Sequence, residues 1–206
     1  MLRVESLSFQ RGQVPILEKV SLELEAGEVL MVRGENGCGK TTLIRLLAGL
    51  IPAQPDFKVF LDDQPYHPQQ VQTRLQFMYL GHALGIKDEL TCLENLEFIA
   101  RFLGGRSDIS PLGSLQSCGL DGYQYTQARR LSAGQRKRLS LARFLLCPAR
   151  IWLLDEPYSN LDAEGLTLVD RLLQKHINEG GGALITSHGT FIPQVTNHRE
   201  MILEVA

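Results

Sequence analysis

No apolar run in this chain approaches the roughly 18 residues of a membrane span, so the sequence offers no transmembrane helix. Its first residues, Met1-Leu2-Arg3-Val4-Glu5, lack the apolar core of a secretory leader. Cysteine is scarce: the thiols at 38, 92, 118 and 147 have neither metal-ligand spacing nor a disulfide framework. They read as free thiols in a reducing compartment. Charge of one sign is lacking too, because 21 basic residues face 23 acidic ones, and a net charge of -2 gives no global field for nucleic acid. No internal repeat or low-complexity tract occurs. A cytosolic protein is expected, with any membrane role arising through a partner. Its 206 residues, 44% apolar, suffice for one α/β core and are too few for two ordinary domains.

What the chain does contain is Gly34-Glu35-Asn36-Gly37-Cys38-Gly39-Lys40-Thr41, which fits the phosphate-loop pattern G-x-x-x-x-G-K-[ST] at every fixed position. An apolar run suited to a buried strand, Val29-Leu30-Met31-Val32, precedes it, and leucines at 43, 46, 47 and 50 follow at a helical period. Three glycines let the backbone curl so that N–H groups and a helix N-terminus face a polyphosphate. Lys40 supplies charge for the β- and γ-phosphates, and Thr41 a hydroxyl for Mg²⁺, with Thr42 next on the helix. The loop predicts binding of a nucleoside triphosphate, ATP, with Mg²⁺.

Along the rest of the chain, alternation over 1–9 and 20–25 predicts two antiparallel strands joined by a turn near Arg11-Gly12. The first helix is expected to stop at Pro52, before a strand at 57–61 and another at Phe77–Leu80. Thr91-Cys92-Leu93-Glu94 matches a capping box that opens a helix to about Phe102. Residues 104–130 carry only weak helical pattern. Helices are expected from 131–135 to Leu146 and from Glu164 to Asn178, with buried strands at Ile151–Leu154 and Ala183–Thr186 and a last strand at Met201–Val205. Strands alternating with helices imply a parallel sheet covered on both faces.

Three further signals carry chemistry. Asp155 and Glu156 follow a buried strand, at the sheet edge where ligands bind; Asp155 is expected in the Mg²⁺ shell and Glu156 as the group that polarises water in line with the γ-phosphate. By itself Leu131-Ser132-Ala133-Gly134-Gln135 is a capped helix start, yet Ser132 and the N–H groups near Gly134 also form an anion site. Two phosphate-reading elements some 90 residues apart suggest a head-to-tail pair, each ATP held between one copy's loop and the other's Ser132–Gly134. His188 follows the strand at 183–186 and is expected to contact the γ-phosphate.

The phosphate loop, Leu131–Gln135, Leu154-Asp155-Glu156-Pro157, Ser159-Asn160-Leu161-Asp162 and His188, in this order and spacing, resemble the ATP-binding cassette ATPases over the whole chain. The resemblance implies an α/β phosphate-loop NTPase with a parallel-sheet core, a small N-terminal antiparallel β-subdomain and an inserted helical subdomain over about 82–145. It implies a nucleotide-sandwich homodimer in the ATP-bound state, Glu156 as base, Asp162 in the interface loop, Ser132, Gly134 and Gln135 on the partner's nucleotide, and His188 as the γ-phosphate switch. Two positions depart from the common pattern. His82 stands where a glutamine is usual, and Arg11 where an aromatic usually stacks on adenine; a planar guanidinium can stack there as well. His82 is expected to reach Mg²⁺ or the attacking water from that position.

The loop Gly81-His82-x-x-Gly85-Ile86-Lys87-x-x-Leu90-Thr91-x-x-Glu94-Asn95-Leu96, with the Arg11-Gly12 turn, resembles the haem-exporter ATPases of cytochrome c maturation. That implies docking, as a peripheral protein, on the cytoplasmic face of bacterial inner-membrane subunits of the CcmB and CcmC types, without nucleic acid, and the release of a haem-loaded periplasmic chaperone. A cassette for another cargo would share the same chemistry. A soluble cassette acting on DNA or ribosomes would usually carry a second cassette or a coiled-coil insertion, and a non-hydrolysing scaffold would not need both Lys40 and Glu156. Replacing Lys40 by Ala is expected to weaken ATP binding itself. Unchanged affinity in a fluorescent-nucleotide titration would count against the phosphate-loop reading.

Overall fold

The computed structural model describes residues 1–54, 57–67, 70, 75–187 and 193–206. Among these, nine strands form two sheets. β1 (Leu2–Arg11) and β2 (Val14–Leu24) pair as a long antiparallel hairpin that turns at Gly12-Gln13. β4 (Val59–Leu61) and β5 (Gln64–Pro65) extend that sheet, in the order β2-β1-β4-β5. The second sheet is parallel throughout. It combines β3 (Val29–Arg33), β6 (Phe77–Leu80), β7 (Ile151–Leu154), β8 (Gly182–Ser187) and β9 (His198–Ile202) in the order β6-β7-β8-β3-β9.

Side-chain alternation along the parallel strands divides the apolar interior into two layers. Leu30, Val32, Ile151, Leu153 and Leu184 face helix α1 (Lys40–Leu47) and the antiparallel sheet. Met31, Trp152, Leu154, Ala183 and Ile185 face the other side, covered by α2 (Cys92–Leu103), α4 (Ala133–Leu146) and α5 (Ala163–Asn178), with α3 (Pro111–Ser117) packed beyond. The α/β phosphate-loop architecture is as expected.

Local rules account for most element ends. Thr91 and Glu94 form the expected capping box, and Ser132 with Gln135 forms a second. The first helix ends at Leu47, earlier than Pro52 had suggested. Gly49 adopts φ +68°, its N–H donates to the Leu46 carbonyl, and the Leu50 N–H donates to the Arg45 carbonyl. That double bond pattern closes a helix before proline is reached. The last strand also sits earlier than expected, at 198–202, because β3 aligns Val29 with His198 and Arg33 with Ile202. Within 104–130 a short helix begins at Ser110, whose hydroxyl accepts the Gly113 N–H, and a 3-10 turn spans Ala128–Arg130.

One polar group lies deep in the layer beneath α5. The His176 ring stacks on Trp152 with centroids 4.0 Å apart and planes within 10°, and its Nε2–H donates to the Gly182 carbonyl at 3.2 Å. Burial pushes this imidazole down from its usual value to about 4. Between those two values the unfolded chain binds the proton and the folded chain does not. Stability present above pH ~6.5 is therefore lost as pH falls toward 4. His176 should account for about 2 kcal/mol lost between pH 7 and pH 5. Urea titrations at both pH values should show a smaller loss in His176→Phe, which keeps the stack; an equal loss would assign the pH dependence to other groups.

Candidate functional site

β3 delivers the chain into the phosphate loop at the carboxyl edge of the parallel sheet. Gly34, Gly37 and Gly39 have φ of +157°, +88° and +103°, and two of them also meet a steric limit. A Cβ at Gly39 would lie 2.7 Å from the Ile16 carbonyl and 2.6 Å from Leu17 Cδ2, and one at Gly34 would lie 2.5 Å from the Leu203 carbonyl. β2 and the tail after β9 thus press on the loop from outside. α1 starts at Lys40 with no side-chain cap, which leaves its first N–H groups for an anion. Lys40 Nζ folds over the loop and donates to the carbonyls of Gly34 and Glu35 at 2.7 and 2.8 Å.

The expected carboxylates arrive from β7. Asp155, 2% exposed, accepts hydrogen bonds at Oδ1 from the Thr41 hydroxyl at 3.0 Å and the Thr186 hydroxyl at 2.8 Å. Its Oδ2 is buried without a hydrogen-bond donor among the described residues, and His82 Nδ1 lies 3.7 Å away. Glu156 has φ +51°, a left-handed backbone that a glutamate rarely adopts. Its N–H donates to Thr186 Oγ1 at 3.0 Å, and its carbonyl accepts from Ser159 Oγ at 2.9 Å and Lys137 Nζ at 3.4 Å. Desolvation lowers the Lys137 pKa, with Glu156 and Asp155 opposing that shift.

One cleft, of about 260 Å³, is lined by Arg11, Ile16, Asn36, Gly37, Gly39, Lys40, Thr41, Thr42 and Glu156. It sets Arg11 beside the phosphate loop and Glu156. A second cleft brings His82 and Asp155 beside Ala133, Lys137, Ser159 and Asn160. The His82 side chain is 70% exposed there. Its loop is anchored by α4, where Ser140 Oγ and Arg143 Nη1 both donate to the Leu84 carbonyl, at 2.7 and 2.6 Å. From α2, Asn95 accepts the Lys87 N–H at 2.7 Å and donates to the carbonyls of Lys87 and Thr91, both at 3.0 Å.

Ser132, Gly134 and Gln135 do not line the phosphate-loop cleft. A Cβ added at Gly134 would meet nothing within 4 Å, so this helix start is open to an outside group. Asp162 caps α5 by accepting the Gly165 N–H at 2.8 Å and also meets Arg138 at 3.4 Å. His188 lies outside the described residues. Thr41 and Asp155, whose Oδ2 has no hydrogen-bond donor among the described residues, fit a cation shared with phosphate oxygens. Thr186, Lys137 and Ser159 carried no role in the sequence reading. A threonine closing an otherwise apolar buried strand was the available signal for the first of them.

Together the parallel sheet, the phosphate loop and the strand-end carboxylates define an ATP-binding cassette. The sequence pattern of the family described as ABC transporter matches residues 17–159, and the chain belongs to that family. Among individual proteins, it is 44% identical to the Cytochrome c biogenesis ATP-binding export protein CcmA of Xanthomonas campestris pv. campestris, strain 8004, over 100% of this chain and 95% of that one. It is 41% identical to the protein of the same name from Methylococcus capsulatus, over 91% of this chain and 90% of that one. Two structures of the bacterial cassette MJ0796 share the fold at 22% identity and TM-score 0.84. One is described as dimeric and covers 99% of this chain and 94% of its own. The other is described as bound to ADP and Pi and covers 100% and 96%.

From its place in the loop, beside Lys40 and a helix N-terminus, Cys38 would be expected to be open to alkylation, with ATP slowing the reaction. Instead the thiol is 1% exposed, turned toward Gly34 and 3.8 Å from Lys40 Nζ. The sharp curl of the loop aims the Cys38 side chain into the core, while its N–H donates to the Glu35 carbonyl at 3.3 Å. Iodoacetamide should therefore modify Cys38 far more slowly in the native chain than in urea, with or without nucleotide. Rapid native modification, read by peptide mass, would mean that the loop opens.

Proposed function

We propose that this chain is the ATP-hydrolysing subunit of a membrane complex for cytochrome c maturation. The observation that carries this reading is its 44% identity, end to end, to a cytochrome c biogenesis ATP-binding export protein. No helix among the described residues is long and apolar enough to cross a membrane, so export would need membrane partners, here subunits of the CcmB and CcmC types. We assign docking to the helical subdomain over about 82–145. There α2 presents Phe98 and Phe102 stacked at 6.2 Å, with Phe102 74% exposed and Lys87 4.9 Å over the Phe98 ring. Docking there would hold the chain on the cytoplasmic face of the inner membrane as a peripheral subunit.

In the proposed mechanism the α1 N-terminus and Lys40 bind the β- and γ-phosphates, Lys40 leaving the carbonyls of Gly34 and Glu35. Arg11 stacks on adenine. Thr41 and Asp155 would hold Mg²⁺, which when bound neutralises charge on the phosphate oxygens. Glu156 takes the proton of the attacking water, and His82 and His188 contact the γ-phosphate region. Two copies pair head to tail in the ATP state, so that Ser132, Gly134 and Gln135 of each face the other's nucleotide, with Asp162 in the interface loop. An open helix start at Gly134 supports that pairing.

Glu156→Gln should keep ATP binding, lower turnover by at least about a hundredfold and trap the dimer. In a native host, the same variant should abolish covalent haem staining of c-type cytochromes while haem synthesis persists. Unchanged turnover would remove Glu156 from the base role. Normal cytochromes beside an inactive ATPase would assign the cassette to another cargo.

A further inference from the structure

Thr186 lies fully buried at the end of β8, between the strand that delivers Asp155 and the strand that delivers the phosphate loop. Pairing of Leu154 with Ile185 and of Val32 with Thr186 sets this threonine beside both strand ends. Alternation then decides the face. Leu184 faces the α1 layer, and so does Thr186 two residues on; Leu153 faces it as well, and so does Asp155.

The hydroxyl has one proton, and its two contacts determine where that proton goes. A peptide N–H can only donate, so Thr186 Oγ1 accepts the Glu156 N–H at 3.0 Å. Its own proton then goes to Asp155 Oδ1 at 2.8 Å. With Thr41 also donating to Oδ1, that oxygen is saturated by hydroxyls, and among the described residues the unengaged lone pairs are those of Oδ2. On the other side, the bond to the Glu156 N–H holds a residue at φ +51°, a conformation that persists only where its surroundings impose it. The Glu156 carbonyl is held in turn by Ser159 and Lys137.

We propose that Thr186 is a positioning residue for ATP hydrolysis. Through one hydroxyl it selects Asp155 Oδ2 as the cation-facing oxygen and holds Glu156 in the backbone conformation that aims its carboxylate into the cleft. The proposal rests on the assignment of Asp155 and Glu156 given above. Thr186 is fully buried, and its effect passes through those two neighbours.

The test compares Thr186→Val, which keeps the branched shape without the hydroxyl, with Thr186→Ser, which keeps the hydroxyl. The full-length chain is used for ATP turnover, for binding of a fluorescent ATP analogue in EDTA, and for the same binding titrated with Mg²⁺. In Thr186→Val, kcat should fall about tenfold or more while KM for ATP stays within about threefold. The Mg²⁺ concentration for half-maximal enhancement of binding should rise several-fold, with the affinity in EDTA unchanged. Thr186→Ser should restore kcat and the Mg²⁺ midpoint to within about twofold of the parent. A Val variant with parental kcat and Mg²⁺ midpoint would overturn the proposal, and so would a Ser variant that melts like the parent yet turns over tenfold more slowly. If the Val variant does not fold, the Ser variant decides by the same criteria. Glu156→Gln run alongside separates the two layers of argument. Parental turnover there sinks the assignment of the base itself, whereas an inactive Glu156→Gln beside a parental Val variant sinks only the role of Thr186.

Discussion

A carboxylate kept out of water is costly unless it is hydrogen-bonded, and the site depends on how Asp155 meets that cost. Two hydroxyls satisfy one oxygen, Thr41 from the helix after β3 and Thr186 from β8. The three residues come from chain positions 41, 155 and 186, and only a parallel sheet brings such distant strand ends to one edge. Among the described residues the second oxygen has no donor, which is tolerable where a cation and phosphate oxygens are to bind. The arrangement puts the strongest local demand for positive charge beside Lys40 and the uncapped start of α1.

The phosphate loop is shaped from outside as well as by its own glycines. β2 closes on Gly39 through Ile16 and Leu17, and the tail residue Leu203 closes on Gly34, so a side chain at either position would collide with backbone. The antiparallel sheet thereby acts as a wall for the nucleotide cleft, and it brings Arg11 to the same cleft at the hairpin end. The curl that turns N–H groups outward also drives the Cys38 side chain inward.

The loop carrying His82 is controlled by a different set of contacts. Gly81 passes so close to Tyr79 that a Cβ would lie 2.0 Å from its hydroxyl, and a Cβ at Gly85 would lie 2.4 Å from Arg143 Nη1. Ser140 and Arg143 converge on a single carbonyl, that of Leu84, and both project from α4, whose first turn carries Ser132 and Gly134. The helix α4 thus carries the open helix start at one end and holds the His82 loop through Ser140 and Arg143. A single rigid helix spans the surface proposed to meet the second copy and the loop beside the helix proposed to meet the membrane subunits.

Local patterns in the sequence determined much of this protein: the phosphate loop between a buried strand and a helix, the capping boxes at Thr91 and Ser132, the apolar strands ending in Asp155-Glu156 and in Thr186, and hence the fold class. Each depends on neighbours within a few residues, where capping, alternation and glycine geometry dominate. Tertiary structure decided the rest. It placed the last strand by register with β3. It buried Cys38 and made Thr186 the link between Asp155 and Glu156. The Thr186 contacts join residues 30 and 31 positions apart, and the last strand pairs with one near the start of the chain; no local pattern encodes which strands become neighbours.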